Sequence, residues 1–387
     1  MAADVLTSVA VAVGLREGRQ GVEDVLRHLA GPAPAIRGLS RHTAIPVPLV
    51  AAICNELRRL GLLAPGRPAR LSEAGRELAD RLGGAPDTAA ACPACGGLGL
   101  AVPDELAAAA GRLSALLRDA PPADPTLDQA HCTVATKLRR VAYLRQAGAL
   151  DGKSVLLLGD DDFLAVTVAL AAGTAGRRPP ARLAVVDVDP AVIAHSRYCM
   201  RRLGLPVELL VHDLRRPLPE RLAGAFDTVF TDPPYTLRGA ELFLGRGREA
   251  LRPEPGGQAF LCFGPKPHAE TARLQHAITG MGFAIHRLVR NFNDYLGAGV
   301  LAGTSHLYHL VAAGAHDEAV GVEGLYTGER DRAPRAYGCR DCGVQLAVGP
   351  GLRWTTVQEL RRQGCPHCRG TTFRPGRRFE ARPLTSR

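Results

Sequence analysis

At 387 residues with 46% hydrophobic residues, the chain is long enough for two or three domains and a sizeable core. Its apolar runs are strand-sized, which excludes a transmembrane helix; the apolar stretch 5–15 lacks a basic flank and a cleavage site, so it reads as a first helix and the default compartment is the cytoplasm. The net charge of +10 is uneven: Lys+Arg against Asp+Glu is 13 to 13 over 1–127, 22 to 19 over 128–319 and 13 to 6 over 320–387, so affinity for a polyanion is expected only in the tail.

In chain order, residues 1–84 predict a winged-helix-like domain. Val22–Ala30 gives a helix. Ile36–His42, a turn at 43–45 and Pro46–Leu60 give a helix-turn-helix, with Pro46 suited to a first helical turn. Leu62-Leu63 and Ala69-Arg70-Leu71 are wing-strand candidates, and Ser72 caps a further helix. Such units often read DNA through the second helix of the pair, which here offers Asn55, Arg58 and Arg59. The domain is electrically neutral, however, and DNA affinity leans on phosphate neutralisation, so a dimerisation or lid role is favoured.

Residues 85–126 hold a Cys92-Pro-Ala-Cys95 turn, an Ala/Leu-rich helix over 104–118 and a proline-rich linker. One CxxC is half a zinc site, with His131 and Cys132 as candidate completing ligands; the bland alternative is a glycine-rich knuckle with reduced thiols. Thr133 is a candidate cap for a helix with Val134, Leu138, Val141, Ala142 and Leu144 on its apolar stripe.

Residues 127–319 alternate strand and helix, the signature of a doubly wound, Rossmann-like parallel sheet. Strands are predicted at 154–158, 183–187, 207–211, 226–231, 258–263, 283–290 and 305–312. The first runs into Gly159-Asp160-Asp161-Asp162, at the turn where such folds seat a nucleotide-type ligand. Phosphate-binding turns are glycine-rich; this one sets up to three carboxylates together, which repels an anion and attracts an amine. The bland alternative is that the aspartates cap the following helix. Asp187, ending the second strand, sits where ribose hydroxyls are gripped, with Asp189 as second choice. Asp213 follows the third strand, where an adenine amino group is met, and Asp232-Pro233-Pro234-Tyr235 follows the fourth. Four acidic positions therefore fall at one edge of the sheet. Their repulsion is a cost that bound cations or sugar hydroxyls offset.

Residues 320–387 form a basic tail with Cys339-x-x-Cys342 and Cys365-x-x-Cys368, 22 residues apart. This spacing predicts a small zinc ribbon with a structural four-cysteine site. The surplus arginines either meet a polyanion such as nucleic acid, which is not favoured, or are composition without a partner.

The acidic rim suits a cationic nucleoside without a carboxylate. Decarboxylated S-adenosylmethionine has that chemistry, and a polyamine is the matching cationic acceptor. The ordered set Asp128-Gln129, Asp151-Gly-Lys-Ser154, Gly159–Asp162, Asp187-Val-Asp189, Asp213-Leu-Arg215, Thr231-Asp232-Pro233-Pro234, Gly245-Arg-Gly247 and Arg290–Tyr295 resembles the branched-chain polyamine synthases, which are N4-bis(aminopropyl)spermidine synthases, over about residues 22–312. The resemblance implies successive aminopropyl transfers from decarboxylated S-adenosylmethionine to spermidine in a homodimer, releasing methylthioadenosine. It assigns the reacting amine to Asp161, with Asp160 and Asp162 beside it. Gly159, Asp187, Asp189, Asp213 and Asp232 then hold the donor. Asp128, Gln129, Pro233, Tyr235, Asn291, Asn293 and Asp294 face the acceptor.

Tyr235 departs from the family's Glu at that position and removes one acid from the acceptor end. Asp-Pro-Pro-Tyr is also the signature of amino-methyltransferases acting on nucleic acid or protein amides, and this is the runner-up reading. The acidic turn weighs against it, because ordinary S-adenosylmethionine carries a carboxylate. A third reading, a non-catalytic polyamine-sensing DNA-binding protein, predicts salt-sensitive DNA binding without turnover.

Overall fold

A computed structural model describes residues 2–31, 35–86, 92, 95, 97–172, 178–297, 303–313, 334–349 and 351–378. Helices α1 (Ala2–Val13), α2 (Gly18–Leu29), α3 (Ile36–Thr43), α4 (Val47–Arg59) and α5 (Glu73–Arg81) make the N-terminal part. Val22, Val25, Leu26 and Leu29 of α2 are buried at i, i+3, i+4 and i+7, the stripe that packs a helix on its neighbours. Ala44, in the left-handed conformation at φ 62°, turns α3 toward α4. The Ser72 hydroxyl accepts the Gly75 N–H at 3.1 Å and starts α5. The two expected wing strands reduce to one antiparallel bridge between Leu63 and Leu71. Pro68, between them, has no N–H to extend a ladder.

The helix predicted over 104–118 is broken into α6 (Asp104–Ala107) and α7 (Ala110–Leu116). The Ala109 N–H bonds to Leu106 O at 3.1 Å, an i−3 bond that tightens the turn. These helices do more than link, because Leu106 and Leu113 are buried in the core on one face of the sheet. Next comes α8 (Val134–Gln146), opened by the Thr133 hydroxyl, which accepts the Thr136 N–H at 3.2 Å.

The central sheet contains β1 (Ser154–Leu158), β2 (Arg182–Asp187), β3 (Glu208–Val211), β4 (Thr228–Thr231), β5 (Gln258–Phe263), β6 (Phe283–Asp294) and β7 (Thr304–Ala312). Between these strands run α9 (Leu164–Ala172), α10 (Pro190–Leu203), α11 (Leu237–Ala250) and α12 (His268–Gly280). The order is β3-β2-β1-β4-β5-β7-β6, with β1 to β5 parallel and β7 inserted antiparallel between β5 and β6. Val155 and Leu157 face one core, Leu156 and Leu158 the other, so β1 is apolar on both sides as a central parallel strand must be. Chain order reverses between β1 and β4, which opens a crevice at the C-terminal ends of those strands.

In the tail, β8 (Arg335–Cys339), β9 (Gln345–Val348), α13 (Val357–Gln363) and β10 (Phe373–Arg378) surround Leu346, Val348, Trp354, Leu360 and Phe373. The strands form an antiparallel sheet of order β10-β8-β9. Among the described residues, no helix is long and apolar enough to cross a membrane.

Candidate active site

A cavity of about 520 Å³ lies in the crevice, bounded by the turns after β1, β2, β3 and β4 and by the loop before α8. The turn after β1 is set by Gly159, whose φ of 72° is readily adopted only by glycine. From that bend the three aspartates part. The Asp160 carboxylate accepts the N–H groups of Leu164 at 2.7 Å and Ala165 at 3.2 Å, so it caps α9. Asp162 is buried against Lys137 at 3.0 Å and Arg140 at 2.7 Å. Asp161 lines the cavity and accepts the Ala130 N–H at 3.2 Å. The expectation of a shared three-carboxylate site is corrected: the helix end and the two cations claim Asp160 and Asp162.

These surroundings separate the three acids electrically. Burial, then the charges of Asp162, Asp187 and Asp232, pushes the Asp161 carboxyl well above the usual range. Burial would raise Asp162 too, but Lys137 and Arg140 hold it well below that range. Asp161 is therefore poised to take a proton, and Asp162 is a fixed charge.

Arg140 sits beneath the floor, 1% exposed. It bonds Asp162, donates from Nη2 to Asp232 at 2.6 Å and to the Tyr295 hydroxyl at 3.0 Å, and from Nε to Asn293 Oδ1 at 2.9 Å. The Tyr295 hydroxyl donates to Asp232 at 2.6 Å, and the Tyr235 hydroxyl to Asp232 at 3.1 Å. Asp232, Pro233, Pro234, Tyr235 and Tyr295 thus form one wall of the cavity, held from below by one guanidinium.

Opposite, the Asp187 carboxylate ends β2 in the cavity and receives the N–H groups of Asp160 at 2.7 Å and Asp189 at 2.8 Å. Burial raises its pKa to about 6 against the pull of those donors. Gly159, Val186, Val188, His212, Leu214 and Phe243 complete this side. Asp189 stands outside the cavity lining. It caps α10 through Ala191 N–H at 2.8 Å and takes the Gln129 amide at 3.1 Å. Asp213 also lies outside it, paired with Arg215 at 2.7 Å. Asp128 and Gln129 line the cavity, with Asp128 in a left-handed turn at φ 58°.

The predicted acceptor residues of β6 do not line the cavity. Asn291 donates to Arg41 O at 2.8 Å, Asp294 pairs with Arg41 at 2.7 Å, and buried Asn293 supports Arg140 from behind. A register shift in β6 between Val289 and Asn293 turns this segment toward α3. Lys137, Arg140 and Tyr295 are what the sequence reading left without a role. Lys137 and Arg140, i and i+3 in a helix just before the acidic strand, were the available sign, since buried acids need counter-charges.

His131 and Cys132 do not complete a metal site with Cys92 and Cys95. The His131 ring bonds Asp161 O at 3.0 Å and Pro121 O at 3.1 Å, and Cys132 is buried beside Asp162. The Sγ atoms of Cys339, Cys342, Cys365 and Cys368 all lie within 4.8 Å of one another. Among the described residues, no other group of three or more candidate metal ligands gathers in this way.

Residues 109–319 match the family model described as the branched-chain polyamine synthase A C-terminal domain. The chain belongs to the branched-chain polyamine synthase family. It is 35% identical over 288 residues to the N(4)-bis(aminopropyl)spermidine synthase of Thermus thermophilus, covering 73% of this chain and 79% of that one. The solved Thermus thermophilus branched-chain polyamine synthase, in complex with N4-aminopropylspermidine and 5'-methylthioadenosine, superposes with a TM-score of 0.68 at 30% identity, over 83% of this chain and 96% of that chain. An uncharacterized protein of Methanocaldococcus jannaschii is 33% identical over 351 residues, 90% of this chain and 88% of its own. The unmatched tenth of the chain is shorter than the tail 320–387, so that likeness runs into the tail, which the family model leaves out.

Proposed function

We propose that the chain transfers aminopropyl groups from decarboxylated S-adenosylmethionine to a polyamine of the spermidine class, releasing methylthioadenosine. The carrying observation is that Asp161 alone of the acidic triplet lines a cavity whose other side presents Asp187. Family membership supplies the reaction class.

In this reading the donor lies along Gly159, Asp187 and His212, with its ribose hydroxyls donating to Asp187. The acceptor lies between Asp161, Asp128 and the Asp232–Tyr235–Tyr295 wall. A secondary ammonium of the acceptor gives one proton to Asp161. The freed lone pair attacks the propyl carbon bonded to the sulfonium. The C–S bond breaks, its electron pair stays on sulfur, and the thioether leaves. General-base help of this kind contributes about 10²–10⁴-fold in rate, and alignment of the lone pair adds to it. Tyr235 spends its hydroxyl on Asp232 and brings no charge, so the acceptor end holds fewer cations than a carboxylate there would.

The tail fits a structural zinc ion. Four thiolates about 2.3 Å from a tetrahedral ion stand about 3.8 Å apart, and Sγ separations here are 3.5 Å for Cys339–Cys368 and 3.6 Å for Cys342–Cys365. Four thiolates leave no open position for catalysis. We take 1–84 as a winged-helix-like domain, 127–319 as the catalytic domain and 320–387 as the ribbon, in a cytoplasmic homodimer. Light scattering of the purified chain reads the oligomeric state.

Incubation with spermidine and either donor, followed by mass spectrometry, tests the function. Aminopropyl increments with the decarboxylated donor alone are expected. Methyl groups on nucleic acid or protein from the carboxylated donor overturn it in favour of the amino-methyltransferase reading.

A further inference from the structure

We propose that the C-terminal ribbon is a nucleic-acid-binding surface whose arginines grip the phosphodiester backbone. Residues 334–378 contain nine arginines, no lysine and two acids, Asp341 and Glu359. Elsewhere some surface arginines are ion-paired, Arg182 with Glu208, Arg215 with Asp213 and Arg252 with Asp227, while others such as Arg37, Arg76 and Arg273 stand singly among mixed charges. In the ribbon, Arg335, Arg340, Arg361, Arg362, Arg369 and Arg374 are all exposed, and among the described residues none of them has an ion-pair partner.

The fold gathers these charges. The Arg340 N–H bonds Thr372 O at 3.0 Å, and Gly370 lies so close to Asp341 that a Cβ there would collide with its carboxylate. The two knuckles, with Arg340 in one and Arg369 in the other, therefore pack together. Helix α13 ends in Arg361 and Arg362 and leads through Gly364 directly into Cys365. On the sheet, the Arg374 side chain lies along Gly338, where a Cβ would meet its Nε at 3.3 Å. Arg353 stacks on Trp354 with 4.8 Å between guanidinium and ring centroid. These are planar, oriented donors of the kind that bind phosphate in bidentate fashion.

A structural role accounts for part of the charge only. Zinc with four thiolates carries −2, which Arg340 and Arg369 can balance, and the other arginines remain in excess. The substrates cannot be the partner. Polyamines and the sulfonium donor are cations, suited to the acidic cavity and repelled by the ribbon. A membrane surface is disfavoured because Leu352 is the one large exposed hydrophobic residue there among those described, leaving little to insert between lipids. A polyanion with regularly repeated phosphates fits. This inference stands apart from the catalytic reading, since no ribbon residue lines the cavity.

The test is fluorescence anisotropy of the full zinc-loaded chain with a labelled 20-nucleotide RNA and a 20-base-pair DNA duplex, over a range of potassium chloride. Engaging five to seven phosphates on the single strand gives a log–log salt slope of about −3.5 to −5. Arg361→Gln with Arg362→Gln should reduce that slope by about 1.4 and weaken binding at least tenfold at 150 mM salt, with zinc content and aminopropyl transfer unchanged. If that pair loses zinc, Arg353→Gln with Arg374→Gln, which lie away from the knuckles in sequence, provides the same comparison. No binding at 50 mM salt, or equal binding by a zinc-retaining double variant, overturns the proposal. Tighter binding to phosphatidylserine vesicles than to either oligonucleotide also overturns it.

Discussion

Arg140 and Asp232 meet at 2.6 Å beneath the cavity, where α8 reaches the strand end of β4. The same guanidinium holds Asp162 at 2.7 Å, so a single cation fixes one acid from each of two turns that bound the crevice. Asp161 is left as the acid of the triplet that lines the cavity.

Arg140→Leu leaves Asp162 and Asp232 buried with a cation removed from between them. Breaking a buried pair by deleting one partner costs about 3–5 kcal/mol. Urea denaturation should show a loss of that order, with aminopropyl transfer abolished. A loss below about 1 kcal/mol would mean the hub is solvated and that its charges do not depend on one another.

Asp161→Asn removes the proposed proton acceptor and keeps the shape of the side chain. The turnover number should fall about 10²–10⁴-fold. The fold should stay as stable or gain stability, since a buried carboxylate whose pKa is raised is costly to ionise. Single-turnover release of methylthioadenosine measures the step, and an unchanged rate removes Asp161 from the chemistry.

Asp187 predicts a pH dependence. Its folded pKa of about 6 stands above the ordinary 3.8, so the folded state holds the proton more tightly than the unfolded chain. The resulting stability is fully present below pH 3.8 and is lost as pH rises through 6. From this group alone the loss is roughly 3 kcal/mol. Denaturation at pH 4.5 and 7.5, compared between the native chain and Asp187→Asn, isolates it: the variant should lose less stability on going to the higher pH. Donor affinity should move the other way, improving above pH 6 as the carboxylate becomes able to accept two ribose hydroxyls. A parallel pH dependence in the two proteins would refute the assignment.

Cys365→Ser, or a strong chelator, should remove about one zinc per chain and unfold the ribbon. Its core is small: Leu346, Val348, Trp354, Leu360 and Phe373 with the cysteines. The catalytic sheet has its own cores on both faces, so aminopropyl transfer should persist. Metal analysis with a parallel activity assay decides this, and a metal-free native tail would refute the ribbon site.

Period and punctuation along the chain were enough to place all seven strands of the central sheet and the cap residues Ser72 and Thr133, because those features depend on near neighbours. The acidic positions after β1, β2 and β4 and the paired CxxC knuckles were legible for the same reason: parallel strands bring their C-terminal ends to one edge, and thiol spacing limits metal geometry. Which of Asp160, Asp161 and Asp162 would face the ligand was not legible. That direction follows from Gly159 and Phe163 at positive φ, and from Lys137 and Arg140 reaching Asp162 from more than 20 residues away. Likewise Asn291, Asn293 and Asp294 were expected at the acceptor, while packing of β6 against α3 and α8 directs them to Arg41 and Arg140. Local pattern determined where the carboxylates fall along the strands. Only the tertiary structure decided which of them is offset by a buried cation and which is left facing the cavity, because that depends on charges that are distant in sequence and meet only when the helices close over the sheet.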